Sequence, residues 1–418
     1  MSQDSKAPVA IIGYGTAGVN ALIGLRNAGY DGAVQVFSDT GILPYSPILT
    51  SYYAGGEKTY EECFPWSEEE LADLGAEVLA NCPVTELDAK AHLVRTARGD
   101  FPYSKCVIAS GATPQVFGWP EGCAYQPHVL RTMDDAERFK TALESPDTRR
   151  VLVSGASMIA LKSLEACLRH GKETELVGMN PHILDFNALP EAAVRFERGL
   201  REKGVALRFG ETIADVQVVD DKGDGRLEVT FSGGDVERFD EIICAHGVRS
   251  NLGFLPEGAL EMDGAILVDE FMRTSDPDVF AAGDVAQALE LTSGQRRVVG
   301  IWKNAALQGA AAGAAIAADL AGTEPPAEAA FRGSIPMNTI YVDGTLFISA
   351  GVFELGEGRH SEVRENDNTT VVYVYEDLPG GDRRLVGFNV VADCDEPGGD
   401  AYDIGAMLTL RIEAACRR

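Results

Sequence analysis

The stretch Pro8–Asp39, PVAIIGYGTAGVNALIGLRNAGYDGAVQVFSD, decides the fold. Its apolar run Val9–Ile12 leads straight into Gly13. A segment with apolar residues at i, i+4 follows, Gly29 ends it, and a second apolar run begins at Val34. Short runs that are apolar on both faces suit parallel strands covered by helices, so the stretch is predicted to fold as strand, tight turn, helix and strand. Gly13, Gly15 and Gly18 form GxGxxG at the strand-to-helix turn. The first glycine permits the turn, the second keeps a Cβ out of the path of a pyrophosphate, and the third lets helix and strand pack closely. The helix N-terminus offers N–H groups and a positive dipole end to phosphate. Asp39 follows Gly18 by 21 residues, where a carboxylate can accept hydrogen bonds from ribose hydroxyls. Together these features indicate a dinucleotide site.

A second unit, Arg150–Met179, RVLVSGASMIALKSLEACLRHGKETELVGM, repeats the order of apolar run, glycine, helix and apolar run. Aligned on the first, Gly155 is the first glycine, but Ser157 and Ala160 stand at the second and third positions. Alanine only has to permit close helix packing, whereas the Cβ of Ser157 projects where backbone should meet a pyrophosphate. The acidic residue expected after the second strand falls at Gly178, and no Arg or Lys beside it favours a 2′-phosphate instead. Asp240–Asn251 and Asp278–Ala286 add further apolar strands ending in glycine, and Ala321–Phe331, AGTEPPAEAAF, has the composition of a linker. Beyond it, Thr369–Asp393 reads as an antiparallel hairpin around Pro-Gly-Gly. Ile404–Arg418 reads as a closing helix with Ile404, Leu408, Ile412 and Ala415 along one stripe.

Composition bounds the function. With 418 residues the chain exceeds one ordinary core. The formal net charge of −28 disfavours nucleic acid and anionic membrane surfaces. No apolar run approaches membrane-spanning length; the longest candidate, Asn304–Gly322, is alanine-rich and broken by polar residues, as in a buried helix. The N-terminal residues lack a signal-peptide pattern. Eight cysteines at 63, 82, 106, 123, 167, 244, 394 and 416 show neither CxxC nor CxxxxC spacing, so no dithiol centre, protein-held cluster or other metal site is signalled. Reduced thiols in a cytoplasmic chain are the expectation.

Later motifs carry a family resemblance. Arg273–Ala286, RTSDPDVFAAGDVA, resembles the second flavin motif of the FAD-dependent pyridine nucleotide–disulfide oxidoreductase superfamily, Val107–Pro114 resembles its ATG segment, and Ile301–Gly309 resembles the helix that approaches the flavin. The resemblance implies FAD as cofactor. It implies contacts from Gly13, Gly15, Thr16, Ala17, Gly18, Asp39, Pro47, Val84, Ser110, Gly111, Gly283, Asp284 and Trp302, with Asp284 on the ribityl chain. Gly41–Gly56, GILPYSPILTSYYAGG, is most similar to the loop of oxygenase-coupled ferredoxin and rubredoxin reductases, with Ser51 near the family's lysine. Gly41 falls where thiol-based members carry a redox cysteine, which argues against disulfide chemistry. The tail Phe331–Gly351 resembles flavoprotein subunits of multi-subunit iron–sulfur oxidoreductases, such as that of phenylglyoxylate dehydrogenase.

The expected fold is therefore α/β: two interleaved Rossmann-like domains, one for FAD (1–112 and 247–326) and one of NAD type (113–246), with a C-terminal α+β interface domain (327–418). The implied function is electron transfer between flavin and an iron–sulfur protein, in a homo- or hetero-oligomer. No catalytic side chain is assigned, and His128 and His246 are expected to be structural. The resemblance makes NAD(P)H the usual redox partner, but Ser157, Gly178, and Lys162 at the position of the family's glutamate near the nicotinamide leave its use open. The alternative is a flavin-binding assembly or relay subunit that does not use NAD(P)H.

Overall fold

The computed structural model describes residues 7–219, 226–394 and 400–417. Residues 1–6, on which the signal-peptide reading partly rests, lie outside them. In chain order the α-helices are α1 (Thr16–Asn27), α2 (Leu49–Ala54), α3 (Glu68–Asp73), α4 (Met133–Glu144), α5 (Met158–Arg169), α6 (Pro190–Glu202), α7 (Trp302–Ala321) and α8 (Asp400–Cys416). None is long and apolar enough to cross a membrane. The chain divides into two compact units. The first comprises 1–46, 61–113 and 249–334, the second 47–60, 114–248 and 335–418.

The first unit is built on a parallel sheet in the order Val279–Ala281, Lys105–Ile108, Val9–Ile12, Val34–Phe37, Glu77–Leu79. Val9–Ile12 is buried along its whole length, as a central strand covered on both faces must be. Small residues bring α1 and α7 into close contact: a Cβ added at Gly309 would lie 2.2 Å from the Ala17 carbonyl oxygen, and one at Gly313 2.1 Å from that of Ala21. The alanine-rich α7 is thus a core helix. Substituting either glycine would force the helices apart.

The second unit holds a parallel sheet in the order Ala206–Phe209, Glu173–Gly178, Arg150–Ser154, Glu241–Cys244. It also holds an antiparallel sheet in the order Met337–Val342, Thr345–Gly351, Arg383–Asp393, Thr369–Asp377, Arg359–Glu365. The hairpin read from Thr369–Asp393 forms its centre. Helix α6 joins the two layers: Phe196 packs edge-on against Phe347 at 6.3 Å, and Asn389 Oδ1 accepts from the Leu189 N–H at 2.9 Å. The tail therefore groups with the second Rossmann-like layer, and the switch between units falls after Ser334.

Candidate cofactor site

In the first glycine loop, Gly13 adopts φ +109°, and an added Cβ would lie 2.2 Å from the Ala109 carbonyl oxygen. Gly18 is equally constrained, since a Cβ there would lie 2.1 Å from the Gly13 carbonyl oxygen. Gly15 differs: an added Cβ would meet nothing within 4 Å. It is the N-cap of α1, and no side chain caps that helix end. Thr16 and Ala17, both buried, form the first turn. The loop thus presents backbone donors and a helix dipole to open space, a cradle that fits a pyrophosphate.

Asp39 is exposed, two residues past the end of Val34–Phe37, and the Gly13 N–H donates to the Phe37 carbonyl at 2.9 Å. A cavity of about 280 Å³ opens here, lined by Tyr14, Ser38, Thr40, Gly41 and Leu71 among others. Val84 begins the strand Val84–Asp88 and packs on the unit's core. Ser110 and Gly111 are tied to Asn251: Ser110 Oγ donates to the Asn251 carbonyl at 2.7 Å, Asn251 Nδ2 donates to the Ser110 carbonyl at 3.0 Å, and the Asn251 N–H donates to the Gly111 carbonyl at 2.9 Å.

Gly283 has φ +82°, donates its N–H to Gln308 Oε1 at 2.7 Å, and faces Ala17. The Asp284 carbonyl accepts from Ser250 Oγ at 2.6 Å. Trp302 opens α7 and stacks on Trp66 at 5.7 Å with 26° between the rings. All these residues lie in the first unit. Pro47 does not: it groups with the second, where its carbonyl accepts from Thr50 Oγ1 at 2.8 Å. Trp66 stands outside the flavin motifs, and although Ser250 and Gln308 fall within motif stretches, sequence alone assigns neither an individual role. Their roles come from packing and hydrogen bonding.

The second loop has the same frame with different contents. Gly155 repeats the geometry of Gly13, with φ +118° and a Cβ position 2.5 Å from the Ala245 carbonyl oxygen. Ser157 caps α5. Its Oγ accepts from the Ala160 N–H at 3.3 Å and donates to the Ala245 carbonyl at 3.1 Å. Gly178 ends its strand, and a Cβ there would press on the Ala156 methyl at 3.1 Å. Lys162 is buried: it pairs with Glu165, lies 3.9 Å from the centre of the Tyr52 ring and 4.0 Å from Glu57. Burial raises Glu165 above the usual carboxylate range, and Lys162 partly offsets it.

His128 and His246 are internal struts. The Phe117 N–H donates to His246 Nδ1 at 3.0 Å, so Nε2 carries the proton and donates to Ser154 Oγ at 2.9 Å. Burial lowers the pKa of His246. His128 bridges by its backbone to Ile242 and Cys244 and sets Nε2 3.2 Å from Glu241. Among the described residues no cysteines are joined in a disulfide and no cluster of metal-ligating side chains forms.

The model of the family described as pyridine nucleotide-disulphide oxidoreductase matches residues 7–309. The chain belongs to this family. It is an FAD-dependent enzyme of the pyridine nucleotide-type oxidoreductases. It is 26% identical over 360 residues to the NADH-dependent phenylglyoxylate dehydrogenase subunit epsilon of Aromatoleum evansii, covering 86% of this chain and 82% of the relative. It is 27% identical over 324 residues to the rubredoxin-NAD(+) reductase of Pseudomonas putida, covering 76% and 81%. Among solved structures, the fold matches the covalent putidaredoxin reductase–putidaredoxin complex with a TM-score of 0.82 at 24% identity, covering 98% of this chain and 94% of that one.

Proposed function

We propose that this oxidoreductase, alone or as the flavoprotein subunit of a complex, passes electrons between its flavin and an iron–sulfur protein, and that its NAD(P)H loop is weakened. The observation that carries the reading is the contrast between Gly15, which faces open space at an uncapped helix end, and Ser157, whose hydroxyl is committed within its own loop. Residues 1–112 and 247–326 would hold FAD: the Gly13–Gly18 loop on the pyrophosphate, Asp39 on the adenosine ribose, Asp284 on the ribityl chain, and Val84, Ser110, Gly111, Gly283 and Trp302 around the rest. When bound, FAD supplies a group that takes up electrons in pairs and releases them singly. The protein positions and shields it.

The rubredoxin-reducing relative supports an iron–sulfur acceptor. So does glycine at position 41 in place of a redox cysteine. The filled second loop equally favours a relay subunit that receives electrons without NAD(P)H. The test is anaerobic: chemically reduce the purified flavoprotein, mix it with oxidised rubredoxin or a [2Fe–2S] ferredoxin, and follow the iron–sulfur absorbance. Transfer to either carrier supports the reading. Reoxidation only by a disulfide or peroxide would contradict it.

A further inference from the structure

Among the buried residues of α7, otherwise glycines, alanines and Ile316, stand two polar side chains, Asn304 and Gln308, 2% and 0% exposed. Each amide is oriented by a backbone partner. Asn304 Nδ2 donates to the Val299 carbonyl at 2.8 Å, and Gln308 Oε1 accepts from the Gly283 N–H at 2.7 Å. The other atom of each amide is thereby defined: an acceptor at Asn304 Oδ1 and a donor at Gln308 Nε2. Both atoms are buried, and neither bonds the other or any group among the described residues. Leaving them so would forfeit the full solvation of two polar groups. The residues lie four apart, one turn along the same helix face, so donor and acceptor are neighbours.

The two backbone partners converge on one carboxylate. The Val299 carbonyl also accepts the Ile301 N–H at 2.9 Å, so Asn304 fastens the turn that leads into α7. A Cβ added at Gly300, inside that turn, would lie 3.3 Å from Asp284 Oδ1. Gln308 fastens Gly283, held at φ +82° immediately before Asp284. The amides therefore hold the two backbone segments that flank the Asp284 side chain. We infer that Asn304 and Gln308 bind one internal water, accepting from Gln308 Nε2 and donating to Asn304 Oδ1, and that this bridged pair positions Asp284 for the cofactor. Water fits because it is small, uncharged, and both donor and acceptor. A cation would meet the amide N–H and an anion the amide oxygen, so neither suits the pair. Both side chains are closed off from the surface, so they act through Asp284 and are positioning residues. The inference rests on the reading of Asp284 as the ribityl contact.

The test has two arms, both on the full-length protein. A crystal structure of the FAD-loaded form, at a resolution that shows ordered water, should place one molecule within hydrogen-bond distance of Asn304 Oδ1 and Gln308 Nε2. Reconstitution of apoprotein with FAD gives the second arm. Gln308→Met should lose roughly tenfold or more in FAD affinity, but only about twofold when added to Asp284→Ala, because it acts through that carboxylate. A merely structural role would cost the same in both backgrounds. Asn304→Ala, which leaves Val299 bonded to the Ile301 N–H, makes the same comparison should Gln308→Met not fold. Amides bonded directly to each other with no water between them, or losses that add fully to that of Asp284→Ala, would overturn the inference alone. Unchanged FAD affinity in Asp284→Ala would overturn the reading of Asp284, and this inference with it.

Discussion

The Ser157 hydroxyl lies 3.1 Å from the Ala245 carbonyl oxygen while accepting the Ala160 N–H at 3.3 Å. It therefore occupies one of the donors that a helix N-terminus would otherwise present to phosphate. Replacing Ser157 with Gly should release that donor and remove the Cβ, at a cost of only about a few tenths of a kcal/mol in helix capping. A Ser157→Gly/Gly178→Glu variant should bind NADH roughly tenfold to a hundredfold more tightly, the effect of one charge-assisted hydrogen bond of about 1.5–3 kcal/mol. The Ala156 methyl, 3.1 Å from the new Cβ at 178, must yield slightly. Titration calorimetry of the variant against wild type measures the gain.

On the proposed assignment, the first loop should separate cofactor binding from folding. Gly15→Ala adds a methyl group that meets no protein atom within 4 Å, so apoprotein stability should change little while FAD affinity falls. Gly18→Ala drives a methyl to 2.1 Å from the Gly13 carbonyl oxygen and should destabilise the apoprotein as well. Thermal melts of the apoproteins with FAD titrations distinguish the two. Equal losses of stability would contradict the division of labour.

Asp284→Ala should weaken FAD retention by roughly tenfold to a hundredfold, the loss of a charged acceptor of ribityl hydroxyls. Reconstitution of apoprotein with FAD gives the affinity directly. The backbone should be unchanged, because Ser250 Oγ bonds the carbonyl of Asp284.

His128 makes stability depend on pH. Burial, with Arg138 and Arg226 nearby, lowers its pKa to about 4. Glu241 does not reverse this, because its carboxylate is already engaged by Arg226 and by the Tyr125 hydroxyl. A depressed histidine pKa means that the unfolded chain binds the proton first. Stability is therefore present above the unfolded value near 6.5 and lost as pH falls from there towards 4. The loss is on the order of 3 kcal/mol at most. Urea unfolding of wild type and His128→Gln across this window should show the dependence in the former and a flatter profile in the latter.

Flavin cycling should leave the thiols untouched. Burial lifts the Cys167 and Cys244 thiols to about 12, and position 41 is glycine. Thiol counts before and after anaerobic reduction should match. Two additional thiols per flavin would point to disulfide chemistry.

The first strand–glycine–helix unit was legible because its contacts are local: the same short run sets the strand, the turn and the helix start. So was the terminal helix, where Leu408 and Ile412 are buried at the spacing read from sequence. The Trp66–Trp302 stack joins residues distant in the chain, and no local periodicity encodes such a pairing. Nor did it show that 47–60 and the tail group with the second Rossmann-like layer. Lys162 looks like a polar interruption of a helix in sequence. The neighbours that accommodate it, Tyr52 and Glu57, come from another segment.

The most direct measurement is anaerobic titration of the purified flavoprotein with NADH and NADPH, following loss of the oxidised-flavin absorbance. FAD should be present without covalent attachment and should bleach fully with a chemical reductant. Either nucleotide should bleach it only when supplied at roughly millimolar levels, as expected when the ribose and phosphate contacts of a micromolar site are both impaired. Stoichiometric bleaching at micromolar NADH or NADPH, unimproved by Ser157→Gly/Gly178→Glu, would contradict the weakened second loop.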